Sequence, residues 1–225
     1  MLALRRSEDN GRTFGPLSWP YLPGLARHQK ADGQMLWDDS RRRLWLFFAV
    51  FRDHSPNTCM GDGENPQGLM LMHSTDLGRT FSRPLNISAH IWQQWPSLCV
   101  APAAGNAALD LGAGHLVFMA NVVGNDPDAP TGGEILIHAT GEAEALNFTV
   151  SRSLLRACTS GGQRCDYNEA SIAVVPSVPP AGENRGEKSL FVVMRSDPAL
   201  THTYATALST DSGHTFGSVT FRPDL

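Results

Sequence analysis

Long apolar runs are missing from this 225-residue sequence, and those present, such as Leu44–Val50 and Leu116–Val123, are strand-length. None approaches the roughly 18 residues that a membrane-crossing helix needs, so no membrane span is expected. Positive charge is not in excess either: 18 Lys and Arg stand against 22 Asp and Glu. No basic block is available to neutralise phosphates, and nucleic acid is not an expected partner. Cysteine is scarce, and Cys59, Cys99, Cys158 and Cys165 show no CxxC spacing. A zinc site is therefore not expected. Cys158 and Cys165 bracket a glycine-rich loop and suit a local disulfide.

Catalytic signatures are absent too. There is no GxSxG elbow, no P-loop and no HExxH, and Gly61-Asp-Gly63 has neither the later glycine nor the helix of a dinucleotide fingerprint. His28, His54, His73, His90, His115, His138, His202 and His214 lack metal-ligand spacing and are expected mostly at the surface. Neither metal nor cofactor is expected. The first ten residues have no apolar core of signal-peptide type, which carries little weight because a repeat already begins at Ser7. Two sequons, Asn86-Ile-Ser88 and Asn147-Phe-Thr149, suit an extracellular or lysosomal setting better than the cytoplasm.

What the sequence does contain is a repeat. Ser7–Phe14, Ser74–Phe81 and Ser209–Phe216 share Ser, Asp, Gly, Thr and Phe at the same offsets. The first two begin 67 residues apart and the third begins 135 further on, twice that period, so a worn copy is expected near residue 141. Ala139–Phe148 sits there, with the terminal aromatic kept and the Asp-x-Gly lost. Asp-x-Gly is a tight-turn signal: the carboxylate accepts backbone N–H groups and glycine takes positive φ at little cost. The Ser and Thr hydroxyls are placed to tie the turn's arms together, and the Phe to anchor it between sheets. Each copy thus reads as a hairpin turn between two strands.

The intervening segments fit. Gln34–Asp38, Arg43–Val50, Leu69–Met72, His115–Ala120, Ser189–Arg195 and Thr203–Leu208 are rich in β-branched and aromatic residues and bounded by turn formers. Pro176–Lys188 reads as a long hairpin loop. No stretch carries a long helical period with caps, so the chain is expected to be all-β and one domain over residues 1–225.

These turns resemble the Asp boxes of the sialidase (neuraminidase) and BNR-repeat families. The resemblance implies a six-bladed β-propeller of which about four blades are present here, with the boxes structural rather than catalytic. It extends beyond the boxes: Asn168-Glu169 opens an apolar run, a hairpin follows, and a strand ends in Met194-Arg195-Ser196 before the last box. In sialidases the substrate bears a carboxylate on its anomeric carbon, so the nucleophile is a neutral Tyr activated by a Glu. Glu169 matches that Glu. Three arginines hold the substrate carboxylate through planar forks, and Arg195 matches the second. Gln94 stands where animal sialidases carry an acidic residue before Trp95, and Asn121 lies where they carry tyrosines; both are expected to line the pocket.

The resemblance implies an exo-α-sialidase acting on terminal sialic acid of glycoproteins, glycolipids or oligosaccharides. The family's first and third arginines, its acid/base Asp and its nucleophilic Tyr match no residue here, and Tyr21, Tyr167 and Tyr204 are not in the nucleophile's place. The 225 residues are therefore expected to be an inactive fragment. The alternatives are a non-catalytic propeller that binds glycans or proteins, or a glycosidase for another sugar. Nothing in the sequence indicates an oligomeric state.

Overall fold

Arg43–Phe51 has the composition of a doubly covered strand, and its residues 45–50 are buried without a break. The computed structural model describes residues 2–20, 29–51, 68–88, 90, 98–102, 107–124, 133–142, 145–152, 155, 170–176, 187–195 and 204–222. Within them the chain forms antiparallel meanders. The first comprises β1 (Gln29–Asp38), β2 (Arg43–Phe51), β3 (Gly68–Ser74) and β4 (Leu85–Asn86), paired in chain order.

The second holds β5 (Leu98–Pro102), β6 (Ala108–Asp110), β7 (Leu116–Gly124), β8 (Gly133–Thr140) and β9 (Asn147–Val150). β5 and β6 pair with successive parts of β7, from Leu98↔Gly124 to Asp110↔Leu116. They act as two halves of one interrupted edge strand, so this sheet also has four strand positions. The third sheet runs β10 (Ala170–Val175), β11 (Ser189–Arg195), β12 (Tyr204–Ser209) and β13 (Thr220–Arg222). None of the three sheets closes on itself. The first repeat joins no full sheet; it turns a hairpin held by reciprocal Leu4–Ser18 backbone bonds of 2.8 and 2.9 Å.

All three clean repeats take the same internal geometry. Ser7 Oγ donates to Asp9 Oδ1 at 2.7 Å and accepts from the Gly11 N–H at 2.8 Å, while Thr13 donates to both carboxylate oxygens, N–H at 2.8 Å and Oγ1 at 2.6 Å. Asp76 with Ser74 and Thr80, and Asp211 with Ser209 and Thr215, repeat this within 0.1 Å. The Thr hydroxyl, the Thr N–H and the Ser hydroxyl hold the Asp9 carboxyl at about 2. The residue before each glycine is also left-handed: Asn10 at φ 59°, Leu77 at 58° and Ser212 at 59°.

The anchoring expected of the terminal Phe holds for three copies only. Phe81, Phe148 and Phe216 each pack against a core cluster. Phe14 is 57 % exposed, because no described sheet covers its side of the first hairpin.

Strand parity assigns the core. On the second sheet Leu116, Phe118, Ala120, Ile135, Ile137 and Ala139 face the first sheet, where Trp45, Phe47, Leu69 and Leu71 meet them. Phe47 and Phe118 stack at 4.7 Å, a contact worth about 0.5–1.5 kcal/mol beyond the area buried. The alternate residues Val117, Met119 and Leu136 face the third sheet and meet Ile172, Leu190, Val192, Met194 and Ala205. The second sheet is therefore buried on both faces, and Gly133–Ala139 of β8 is covered throughout.

Ser88 of the first sequon is fully buried and receives the Leu69 N–H at 2.7 Å, so its hydroxyl closes the first sheet. The positions of all four cysteines and of the loop after Pro176 lie outside the side chains and segments described.

Candidate functional site

An antiparallel meander puts its first and third turns at one end and its middle turn at the other. The second and third Asp-x-Gly turns and the worn copy therefore share an end with the β1–β2 turn and with the turn before β7. Of the sequence-derived site residues, Arg195 and Asn121 belong to the opposite end. Arg195 is the last residue of β11 and pairs with Tyr204, the first of β12. Asn121 lies toward the same end of β7, paired with Ala101 and with Glu134. Glu169 and Gln94 lie outside the described residues; the neighbour of Glu169 in the chain, Ala170, opens β10 opposite Met194.

Arg195 and Asn121 do not share a face. Leu190, Val192 and Met194 turn toward the second sheet, so Arg195 turns away from it, onto an exposed face. The register sets Arg195, Tyr204 and Arg222 side by side across β11, β12 and β13. All three are exposed, Tyr204 by 45 %. Opposed residues on one face have Cβ atoms about 4.5–5.5 Å apart, so this row offers two guanidinium groups flanking a phenol. Such a row favours an anion with a planar carboxylate. Sequence reading named Arg195 alone. Arg222 was missed because β13 is three residues long and carries no pattern of its own.

Asn121 belongs to the buried face between the second and third sheets, with only 8 % of its surface exposed. Directly opposite it is Glu134, which is fully buried and has no hydrogen-bond partner on either carboxylate oxygen. Burial alone pushes the Glu134 carboxyl well above the usual carboxylate range. A group held neutral in this way stabilises the fold below its ordinary value near 4.5, and that contribution is lost as pH rises toward the folded value. Glu134→Leu is accordingly expected to raise stability at pH 7.5 by about 1–3 kcal/mol, the scale of an unsatisfied buried polar group. The gain should shrink at pH 4. Urea unfolding at the two pH values checks this, and equal or lower stability at pH 7.5 would contradict it.

The histidines depart from their expected surface placement. His138 is buried, His73, His90 and His115 are half-buried, and only His214 of the five described is exposed. His115, His138 and His214 gather between the second and third sheets at the turn end. Among the described residues no group of three His, Cys, Asp or Glu is arranged to hold a metal ion.

No protein-family model matches the chain. No curated protein matches it either. Among solved structures it is similar to the Hadza microbial sialidase Hz136, with a TM-score of 0.50 and 19% identity over 97% of this chain. The chain spans about half of that protein, 51% of its length. This likeness shows the fold: an all-β, sialidase-like arrangement of four-stranded antiparallel sheets.

Proposed function

We propose that this chain is the carboxylate-binding and base-bearing portion of a sialidase-type, six-bladed propeller that acts on terminal α-linked sialic acid. The observation that carries the reading is the exposed row of Arg195, Tyr204 and Arg222 at the sheet end opposite the structural turns. Sialic acid presents a carboxylate on the reacting carbon, and a guanidinium at the end of a rigid strand suits that group. Arg195 is the residue that binds it. Glu169, one residue before β10, acts as base to a Tyr nucleophile in a retaining mechanism without a metal. Gln94 contributes to the polar lining, and Asn121 backs it from the buried face between the second and third sheets. Sialylated glycoconjugates are the proposed partners.

Hydrolysis is not expected from the 225 residues alone, since no tyrosine among them matches the nucleophile. Binding is the direct test. Titration of the chain with an α-methyl sialoside, followed by NMR, should show saturable binding that the sialoside's methyl ester does not reproduce. Arg195→Met should weaken it roughly tenfold or more, the scale of a lost hydrogen bond to a charged group. Equal binding of acid and ester, or an Arg195→Met variant that binds like wild type, would remove the sialic-acid reading. A non-catalytic surface for other ligands would then stand in its place.

A further inference from the structure

His115 directly precedes β7, His138 lies within β8, and His214 sits in the third Asp-x-Gly turn. Three separate elements thus bring three imidazoles together. His115 Nε2 and His138 Nδ1 share a hydrogen bond of 2.9 Å. The rings of His138 and His214 stack with centroids 4.3 Å apart and planes 4° from parallel. His138 Nε2 meets the Gly213 carbonyl at 3.3 Å.

Those bonds fix the tautomers. A carbonyl only accepts, so His138 Nε2 carries a hydrogen, and its Nδ1 is left to accept from His115 Nε2–H. His138 Nδ1 accepts only while His138 is neutral. A second proton sets N–H against N–H across 2.9 Å unless His115 changes tautomer, and in either case it buries a cation between two other titratable rings.

Few groups offset the charge that this proton would bring. Asp211, in the third turn, and Asp110, on β6, supply the nearby negative charge. Arg152 and Lys188 meet the turn through their backbones, by Arg152 N–H to His214 O at 3.0 Å and Lys188 N–H to Ser212 Oγ at 2.9 Å. Glu134 lies further along the same face of β8 and is itself uncharged in acid. Burial holds the His138 imidazole down to about 4, with His214 and His115 adding to the effect and Gly213 O and Asp211 opposing it. Burial and His214 lower His115 as well.

We propose that His115, His138 and His214 form an acid-sensitive joint, in which protonation of His138 releases the third Asp-x-Gly turn from the second sheet. The packing concentrates the effect there. Gly213 is wedged against Leu136 and Leu190, so the turn is the piece of the third sheet that reaches β8 at this end. Asn121 belongs to the second sheet and Arg195 to the third, so opening the joint shifts one relative to the other. That last consequence rests on the site reading given above; the joint itself does not.

The direction follows from linkage. A histidine held below its ordinary 6.5 stabilises the closed form above that value, and the stabilisation drains away as pH falls from there toward about 4. With an ordinary histidine in the open form, the opening equilibrium rises about thirtyfold between pH 7.5 and pH 5.

Hydrogen exchange on the 225-residue chain, expressed as protection factors, tests this. Residues 133–140 and 204–216 should lose about thirtyfold in protection on going from pH 7.5 to pH 5. Residues 43–51 and 68–74, in the first sheet, should change little. His214→Asn sits at an exposed position and removes a like charge stacked on His138, so protection at pH 5 should be several-fold higher than in wild type. His138→Phe, where it folds, should abolish the pH dependence of the two segments. Unchanged protection at pH 5, an equal loss in the first sheet, or a His214→Asn response identical to wild type would each overturn the joint.

Discussion

Gly213→Ala is expected to be the most destabilising of the three equivalent glycine substitutions, by a wide margin. Gly11, Gly78 and Gly213 occupy the same place in the repeat with nearly the same φ, +83°, +81° and +91°. Each therefore charges an L-residue the same conformational cost, about 1–2 kcal/mol. Their surroundings differ. A Cβ at Gly11 meets nothing within 4 Å, and one at Gly78 meets Leu44 Cδ2 at 3.3 Å. At Gly213 it would lie 2.1 Å from Leu136 Cδ2 and 3.0 Å from Leu190 Cδ1. Both leucines are fully buried in the cluster between the second and third sheets, so moving either aside disturbs that packing. Overpacking of this kind adds roughly 1–3 kcal/mol, for a total of about 2–5 kcal/mol. Urea unfolding of the three variants should give losses in the order Gly213, Gly78, Gly11. Equal losses would mean that the third turn is not wedged against β8.

Arg41→Met is expected to cost about 3–5 kcal/mol, the scale of breaking a buried ion pair from one side. Arg41 and Asp38 pair at 2.6 Å with side-chain exposures of 8% and 0%. Burial works against the Asp38 carboxylate. Donors from Arg41, Ser40, the Arg41 N–H and Trp45 overcome it, and its pKa lies below the ordinary value. Arg41 does more than neutralise Asp38. It crosses to the second sheet and donates to the carbonyls of Gly114, at 2.5 Å, and Gly141, with Nε at 3.0 Å. Its loss leaves a buried carboxylate without its counter-charge and removes the donor that the half-buried Gly114 carbonyl uses.

The double variant Asp38→Asn with Arg41→Met removes the orphaned charge and should recover part of the loss, which a double-mutant cycle measures. Full additivity of the two single effects would contradict the coupling. The acid limb has a definite sign. Asp38, with its folded value depressed, stabilises the fold above the ordinary carboxylate value near 3.8, and this is lost as pH falls through its lower folded value.

Much of the fold was legible because its punctuation is local. The Ser-x-Asp-x-Gly-x-Thr pattern satisfies its own hydrogen bonds within seven residues, so the turn forms wherever the pattern occurs. The worn copy at 139–148 could be placed by period alone, and it does join β8 to β9. Among the described residues the four repeats correspond to three sheets and one hairpin, the hairpin being held by the Leu4–Ser18 bridge. The candidate site was less legible. Arg195 was readable through the resemblance of the segment ending in Met194-Arg195-Ser196 to sialidases. Its row with Tyr204 and Arg222 was not, because register joins residues from three strands.

The sequence by itself determined the turns, the strand-forming segments between them and the all-β class, each of which depends on contacts among near neighbours. Only the tertiary structure decided what those elements bury. Glu134 is the second residue of β8, close to a strand boundary, yet parity puts it on the face that carries Leu136 and His138, against another sheet. His115, His138 and His214 have no meaningful spacing along the chain; β7–β8 pairing brings the first two together, and His214 joins them only because the third sheet stacks on the second. Gly11 and Gly213 share one motif and one φ, but only Gly213 is wedged. A hydrogen bond closed within a turn is set by the residues that make it, whereas desolvation and close packing are set by whatever surface the rest of the chain brings against them.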